Sequence, residues 1–440
     1  MPKKTKKEIK EERQKQADYS DDSDNQSDNE STASSSTMMM LANLDRLSDG
    51  FIEAIDALTE KASAKRIEAL SSISKLMKLR YTITLLENQL EALVGGVIQC
   101  INKASSTEEF TKAFGVLALV SATVGPCELP GQRSIRGSQS LNATNSSVTL
   151  SAEMTSRMKE VLIRYADAAM KKSAEVRCAA INALSIIQFM DSTAEDLILE
   201  KSEDNPLIML KNWWNDVDVS ASAIDAWSFV STIIPYKYKI NLLIPQALTS
   251  LKDKITSEST SPAVKIAAGQ AVALLFEAVH NSEDIDMDTV IPRQSYDDLL
   301  TAMNKIASVS TKSISKKNKS AQKASYRNFI DTVECGEAPS EKLNVSGSTL
   351  AFESWDKLIQ LSTFKHLLES GTLEHFKFNT NLQSIFGVSD LELNEPNTTK
   401  LSSIEKKYYL SKNSDFNKND TLEKNKLTRQ FAHYVQNEDE

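Results

Sequence analysis

The sequence predicts an all-α protein with a HEAT/armadillo-like α-solenoid, preceded by a disordered N-terminal tail and followed by a basic, partly helical C-terminal segment. Three observations carry this reading. Glycine is scarce, at 12 of 440 residues, and aromatics make up only 6%, whereas Ala, Leu, Ile, Ser and Lys abound, a composition of helices rather than of sandwiches or barrels. Apolar residues recur at intervals of three and four along most of the chain. Helix-like strings rich in small residues return at a nearly constant period.

Residues 1–37 run from a basic block, MPKKTKKEIKEERQKQ, into DYSDDSDNQSDNESTASSST. So few apolar groups cannot offset the entropy of ordering, and the segment reads as a disordered tail. Ser20, Ser23 and Ser27 precede acidic residues, in the manner of acid-directed kinase targets. The charged start is neither a secretory signal nor a membrane anchor. No stretch reads as the roughly 18 apolar residues that a bilayer span needs. The four cysteines, Cys100, Cys127, Cys178 and Cys335, stand far apart without CxxC spacing. That is the usage of unpaired thiols in a reducing compartment, so the cytoplasm or nucleus is expected.

Residues 38–310 carry the repeat pattern. Met154, Met158, Val161, Leu162 and Tyr165 share one helical face, and Val176, Ala179, Ala180, Ala183, Leu184 and Ile187 another, which predicts an antiparallel helix pair. The second string, AEVRCAAINALSII, returns as SAKRIEALSSISKLM, EEFTKAFGVLALVS, DVDVSASAIDAWSFV and SPAVKIAAGQAVALLF. Aligning them makes Lys65, Phe110, Val176, Val219 and Val264 equivalent, with spacings of 45, 66, 43 and 45. The long spacing contains a Pro/Gly/Ser/Asn-rich loop over 125–149, and removing its 25 residues leaves 41. Two helices per unit and a period of about 40–47 residues are the signature of HEAT or armadillo stacking.

Residues 311–390 are expected to hold a basic segment and further helices, and 391–440 a polar, basic tail. From Lys305 to Arg327 there are seven Lys/Arg and no acidic residue, in a chain of net charge −9. Such a local field calls for a polyanionic partner, although a solvated linker has the same composition. No catalytic constellation is found. DMDTV, from Asp286, lacks the buried strand that phosphotransfer needs and reads as an inter-helix loop. It also lacks the Gly and Glu of a calcium loop. His280, His366, His375 and His433 have no zinc-site spacing, so packing or surface roles are expected. Gly371, between two of them, is expected to close one helix and open the next. Trp227 reads as core, whereas Trp213 and Trp214, near a corner, could serve packing or recognition.

Four blocks in order resemble one family. They are SDGFIEAIDALTEKASAKRIEAL, SPAVKIAAGQAVALLFEAVH, KKNKSAQKASYRNFIDTVECGE, and ESWDKLIQLSTFKHLLESGTLEHFKFNTNLQSIFG, together spanning about Ser48 to Gly387. The framework of Trp355, Phe364, Lys365, Ser370, Gly371, His375, Asn381 and Phe386 is similar to that of the interferon-related developmental regulator family.

The resemblance implies an armadillo-like protein without catalysis, and the residue spacings lead to no expected cofactor or metal. It would work by binding protein partners through its solenoid surface. Family members are described as occupants of idle ribosomes and as transcriptional co-regulators bridging histone-deacetylase complexes. A ribosome-associated regulator of translation is therefore the first expectation and a nuclear co-regulator the second. The family's basic tail is matched here by EKKYYLSKNSDFNKNDTLEKNKLTRQ, which keeps Lys406, Lys407, Lys418, Lys424, Lys426 and Arg429 but lacks the dense arginines. With Lys316, Lys317, Lys319, Lys323 and Arg327, these are the candidate contacts to rRNA.

Overall fold

In the computed structural model, the described residues are 47–126, 148–200, 202–282, 285–308, 316–345 and 348–388, with side chains of 316–321 and 348 excepted. The N-terminal tail, most of the 125–149 loop, and the C-terminal tail from 389 lie outside them. A helix over 47–57 (α1) leads into α2 (Ser63–Leu79), α3 (Ile83–Leu86), α4 (Leu90–Lys103), α5 (Thr107–Val124), α6 (Ala152–Ala166) and α7 (Ala174–Asp191). There follow α8 (Ala194–Leu199), α9 (Pro206–Asn212) and α10 (Ser220–Ser231). A helical turn at Tyr236–Tyr238 and a π turn at Lys239–Leu243 then open α11 (Ile244–Thr256). The rest comprises α12 (Pro262–His280), α13 (Met287–Val290), α14 (Arg293–Ser308), α15 (Lys316–Cys335), β1 (Glu341–Val345), β2 (Ser348–Phe352), α16 (Trp355–Leu368), α17 (Thr372–Phe378) and α18 (Thr380–Phe386). The chain is mostly helical.

Helix pairing organises the core. α4 packs on α5, α6 on α7, α9 on α10, α11 on α12 and α14 on α15. The second members, led by α2, form one row in which α2, α5, α7, α10, α12 and α15 each pack on the next. Residue 310 therefore falls between two paired helices, because the basic stretch from Lys316 is itself the last helix of that row.

The starts of these helices fix their register. Ser106, Ser173 and Ser261 accept the N–H three residues on, and Asp216 caps the turn before α10. Counted from these caps and from Ala62, the residues equivalent to Lys65, Val176, Val219 and Val264 include Glu109 rather than Phe110. Matching an apolar residue to apolar residues shifted the sequence alignment by one. Glu109 is fully buried because the Arg66 Nε–H (2.6 Å) and the Ser63 hydroxyl (2.7 Å) both donate to its carboxylate. Arg177, at the position equivalent to Arg66, donates to Asp216 at 2.5 Å and joins α7 to the approach of α10.

Three further expectations meet the structure. Trp214 and Trp227 are both buried, edge to face with centroids 5.2 Å apart, so both are core. DMDTV, expected to be an inter-helix loop, is instead the short helix α13 (Met287–Val290) with Asp286 as its cap. α12 is long and apolar enough to cross a membrane by length and composition, contrary to the expectation that no stretch approaches a span. Its residues from Ala267 to Val279 are almost all buried against α10, α11 and α15, which makes it the central core helix of this fold.

The β hairpin was not foreseen. Glu341 pairs with Phe352 and Val345 with Ser348. A lone hairpin is marginal in water. This one is braced by Lys365 of α16, which pairs with Glu341, and by Phe352, which packs on Phe376 and Phe386.

Candidate functional site

The family-like C-terminal framework folds back across the row of second helices. α16 packs on α12, α10, α5 and α2, α17 on α2, and α18 on α5. At its first end, the Trp355 backbone N–H donates to the Glu277 carboxylate of α12 at 2.9 and 3.0 Å, and the indole Nε1–H donates to the Thr332 hydroxyl of α15 at 2.9 Å. A carboxylate at the first turn of α16 also meets the positive end of that helix. Beside it, Lys239 of the π turn is fully buried and pairs with Asp356. Burial pushes the Lys239 ammonium down and the Asp356 carboxyl up, each opposed by the other's charge. In mid-helix, Phe364 lies edge-on to Phe189 of α7 and Phe229 of α10.

At the far end, polar side chains satisfy carbonyls that α2 and α5 leave unpaired at their C-termini. His375 bonds the Met77 carbonyl at 2.9 Å, Asn379 donates to Ala122 O at 3.0 Å, and Asn381 donates to Thr123 O at 3.0 Å. Burial lowers the His375 pKa, so the ring is neutral and donates from Nε2, while its Nδ1 faces the Asn379 amide at 3.4 Å. Gly371 has φ near −86°, an ordinary helical value. Its lack of a side chain serves close approach instead, since a Cβ there would lie 1.7 Å from the Lys78 carbonyl oxygen.

Glu277 adds a testable pH effect. Burial pushes its carboxyl from the ordinary 4.5 up to about 7. A raised carboxyl pKa favours the folded state least when ionised, so its contribution falls as pH rises from about 4.5 to about 7 and is flat above. Glu277→Gln keeps an oxygen for the Trp355 N–H. It is expected to raise Tm at pH 8 and leave it unchanged at pH 4, as scanning calorimetry can check.

Between the row and α16 lies a cleft of about 810 Å³. Its wall carries Ser71, Gly115, Asn182, Asp225 and Gln270, one from each of α2, α5, α7, α10 and α12, each nine residues after its helix cap. Ser362, Thr363 and His366 of α16 face them. Asp225 is exposed to solvent within the cleft, with the neighbouring helices raising its carboxyl above the ordinary range by partial desolvation. The sequence reading missed this wall. Its signal was a polar residue recurring six places after Val176, Val219 and Val264, in strings otherwise apolar or small.

The predicted cation sites are only partly placed. Lys316, Lys317 and Lys319 fall in the first turn of α15, and their side chains lie outside those described. Lys323 is half-buried and donates to the Ser308 carbonyl at 3.4 Å, while Arg327 is exposed one turn further on. Lys406, Lys407, Lys418, Lys424, Lys426 and Arg429 lie outside the described residues. Cys100, Cys178 and Cys335 are unpaired thiols. Among the described residues no group of three His, Cys, Asp or Glu could hold a metal ion.

Comparison with known proteins bears on the row of helices. The interferon-related developmental regulator family matches residues 17–334, which includes every paired helix. Interferon-related developmental regulator 2 of Mus musculus is 25% identical over 387 residues, covering 83% of this chain and 79% of its own length. An uncharacterized protein of Schizosaccharomyces pombe is 26% identical over 239 residues, half of this chain and 52% of its own. Interferon-related developmental regulator 1 of Sus scrofa is 23% identical over 230 residues, 52% of this chain and 48% of its own. A family match that runs from the N-terminal tail through the last helix of the row accounts for most of the chain, which therefore belongs to the interferon-related developmental regulator family.

Proposed function

We propose that the chain is a non-enzymatic regulatory scaffold whose helix pairs form a HEAT/armadillo-like α-solenoid. It docks on the ribosome and acts on translation. The observation that carries this reading is the basic stretch. Its cations Lys316, Lys319, Lys323 and Arg327 fall at intervals of three and four on α15, the helix that ends the row. Consecutive packing of the second helices supports the solenoid, since each unit buries its face against its neighbours. Seven cations without an acidic residue, on a chain of net charge −9, favour a phosphate-rich surface. The tail cations Lys406, Lys407, Lys418, Lys424, Lys426 and Arg429 extend the same chemistry.

Contacts of this kind are electrostatic and tolerant of sequence. Changing Lys316, Lys317, Lys319 and Lys323 to Glu, alone and together with Lys418, Lys424, Lys426 and Arg429, is expected to release the protein progressively from ribosomes in sucrose gradients. Each neutralised cation flattens the dependence of log affinity on log salt by roughly 0.7–0.9, so four flatten it by about 3. Unchanged co-sedimentation of both variants at low and moderate salt would overturn the reading. RNase-resistant retention on chromatin would favour the nuclear co-regulator instead.

A further inference from the structure

We propose that the cleft between the row of second helices and α16 binds an extended segment of a partner protein, with a lysine or arginine of that segment meeting Asp225. The cleft, at about 810 Å³, falls within the size range of sites that enclose a specific ligand. Its wall is a ladder rather than a patch. Asn182, Asp225 and Gln270 occupy the same position on three successive helices. Packed helices lie about 8–10 Å apart, and an extended chain rises about 3.3 Å per residue. Successive rungs therefore meet an extended chain about every third residue. Asn182 and Gln270 each offer a donor and an acceptor, which suits a peptide backbone.

Charge selects the central residue. No hydrogen bond or ion pair ties Asp225 to another described residue, whereas two of the three lysines that line the cleft have carboxylate partners. Lys78 pairs with Glu369 at 2.7 Å and Lys112 with Glu108 at 3.5 Å. The Asp225 carboxylate is open to solvent within the cleft, so an arriving ammonium or guanidinium can reach it and form a charge-assisted hydrogen bond. Asp225 repels a phosphate at the central rung, while Lys75, Lys78 and Lys112 line the same cleft, so an RNA competitor is part of the test. The proposal goes beyond the ribosome reading and shares no residue with it.

The test uses the full-length protein and dodecapeptide pools, randomised except for one central position fixed as Lys, Arg, Ala or Glu, with binding read by fluorescence anisotropy. The Lys and Arg pools are expected to bind at least tenfold more tightly than the Ala and Glu pools. Asp225→Asn, nearly isosteric, is expected to abolish that preference. Asn182→Lys, which sets a cation on the next rung, should abolish it as well and stands as the second variant should the first fail to fold. Binding by no pool, equal binding by all four, or a preference that survives in either folded variant overturns the proposal. So does a single-stranded RNA 20-mer that displaces the Lys pool from the parent and from Asp225→Asn equally. Because no ribosome is present in this assay, its failure and the failure of the ribosome reading are separate results.

Discussion

Lys239→Met is expected to destabilise the protein by about 3–5 kcal/mol, because it leaves the Asp356 carboxylate in the first turn of α16 without its cation. The Lys239 side chain is fully buried and that of Asp356 is 18% exposed, so solvent screens the pair little. Two buried charges taken from water together are far less costly than one left alone. The double variant Lys239→Met/Asp356→Leu is therefore expected to recover most of the loss and to come within about 1–2 kcal/mol of the parent. Urea unfolding of the four proteins closes the cycle. If the single change costs less than about 1 kcal/mol, the pair does not hold α16 to the row.

Gly371→Ala should detach the far end of the same strap. Alanine fits the backbone conformation at this site, so strain in φ is not the cause. The obstacle is the Lys78 carbonyl, which would lie 1.7 Å from the new Cβ, and backbone on both sides cannot rotate away as a side chain could. Overpacking of this kind typically costs about 1–3 kcal/mol, occasionally more. Relief by separating α17 from α2 would forfeit the His375 bond to Met77 and the Asn379 and Asn381 bonds to α5. Limited proteolysis is expected to cut the variant between 369 and 388 under conditions that leave the parent whole. A variant that resists cleavage and keeps its Tm would show that the approach relaxes at little cost.

Much of the fold was legible because burial writes itself into spacing. Val161, Leu162 and Tyr165 of α6 and Ala180, Leu184 and Ile187 of α7 are buried, as their spacing of three and four predicts. Phe110 was aligned in place of Glu109 because local pattern cannot show that Arg66 and Ser63, on another helix, satisfy a buried carboxylate. The Trp355-to-Phe386 framework was visible as a set of residues, but not what it holds. His375 meets Met77 across 298 positions of sequence, and no periodicity encodes such a pairing. Gly371 shows the same gap. A glycine between helices suggests a turn residue, and only the opposite backbone reveals that space is what it provides. Asp225 escaped notice for another reason. A lone acid in a helix otherwise reads as a solvent-facing residue, and it becomes a candidate site only when Asn182 and Gln270 line up beside it.

The strap changes how the molecule can come into being. A row of helix pairs in which each touches only its neighbours can form from one end as it leaves the ribosome, pair by pair. In this chain the carbonyls at the ends of α2 and α5 find their partners only in α17 and α18, so the earliest helices stay open at that edge until nearly the whole chain has been synthesised. Bridging so long a separation carries a loop-closure cost before any contact repays it, which slows the last step of folding and joins the two ends into one cooperative unit. Nascent chains released just before Trp355 should therefore display protease-sensitive first helices, and completion of the final helices should protect residues some three hundred positions upstream.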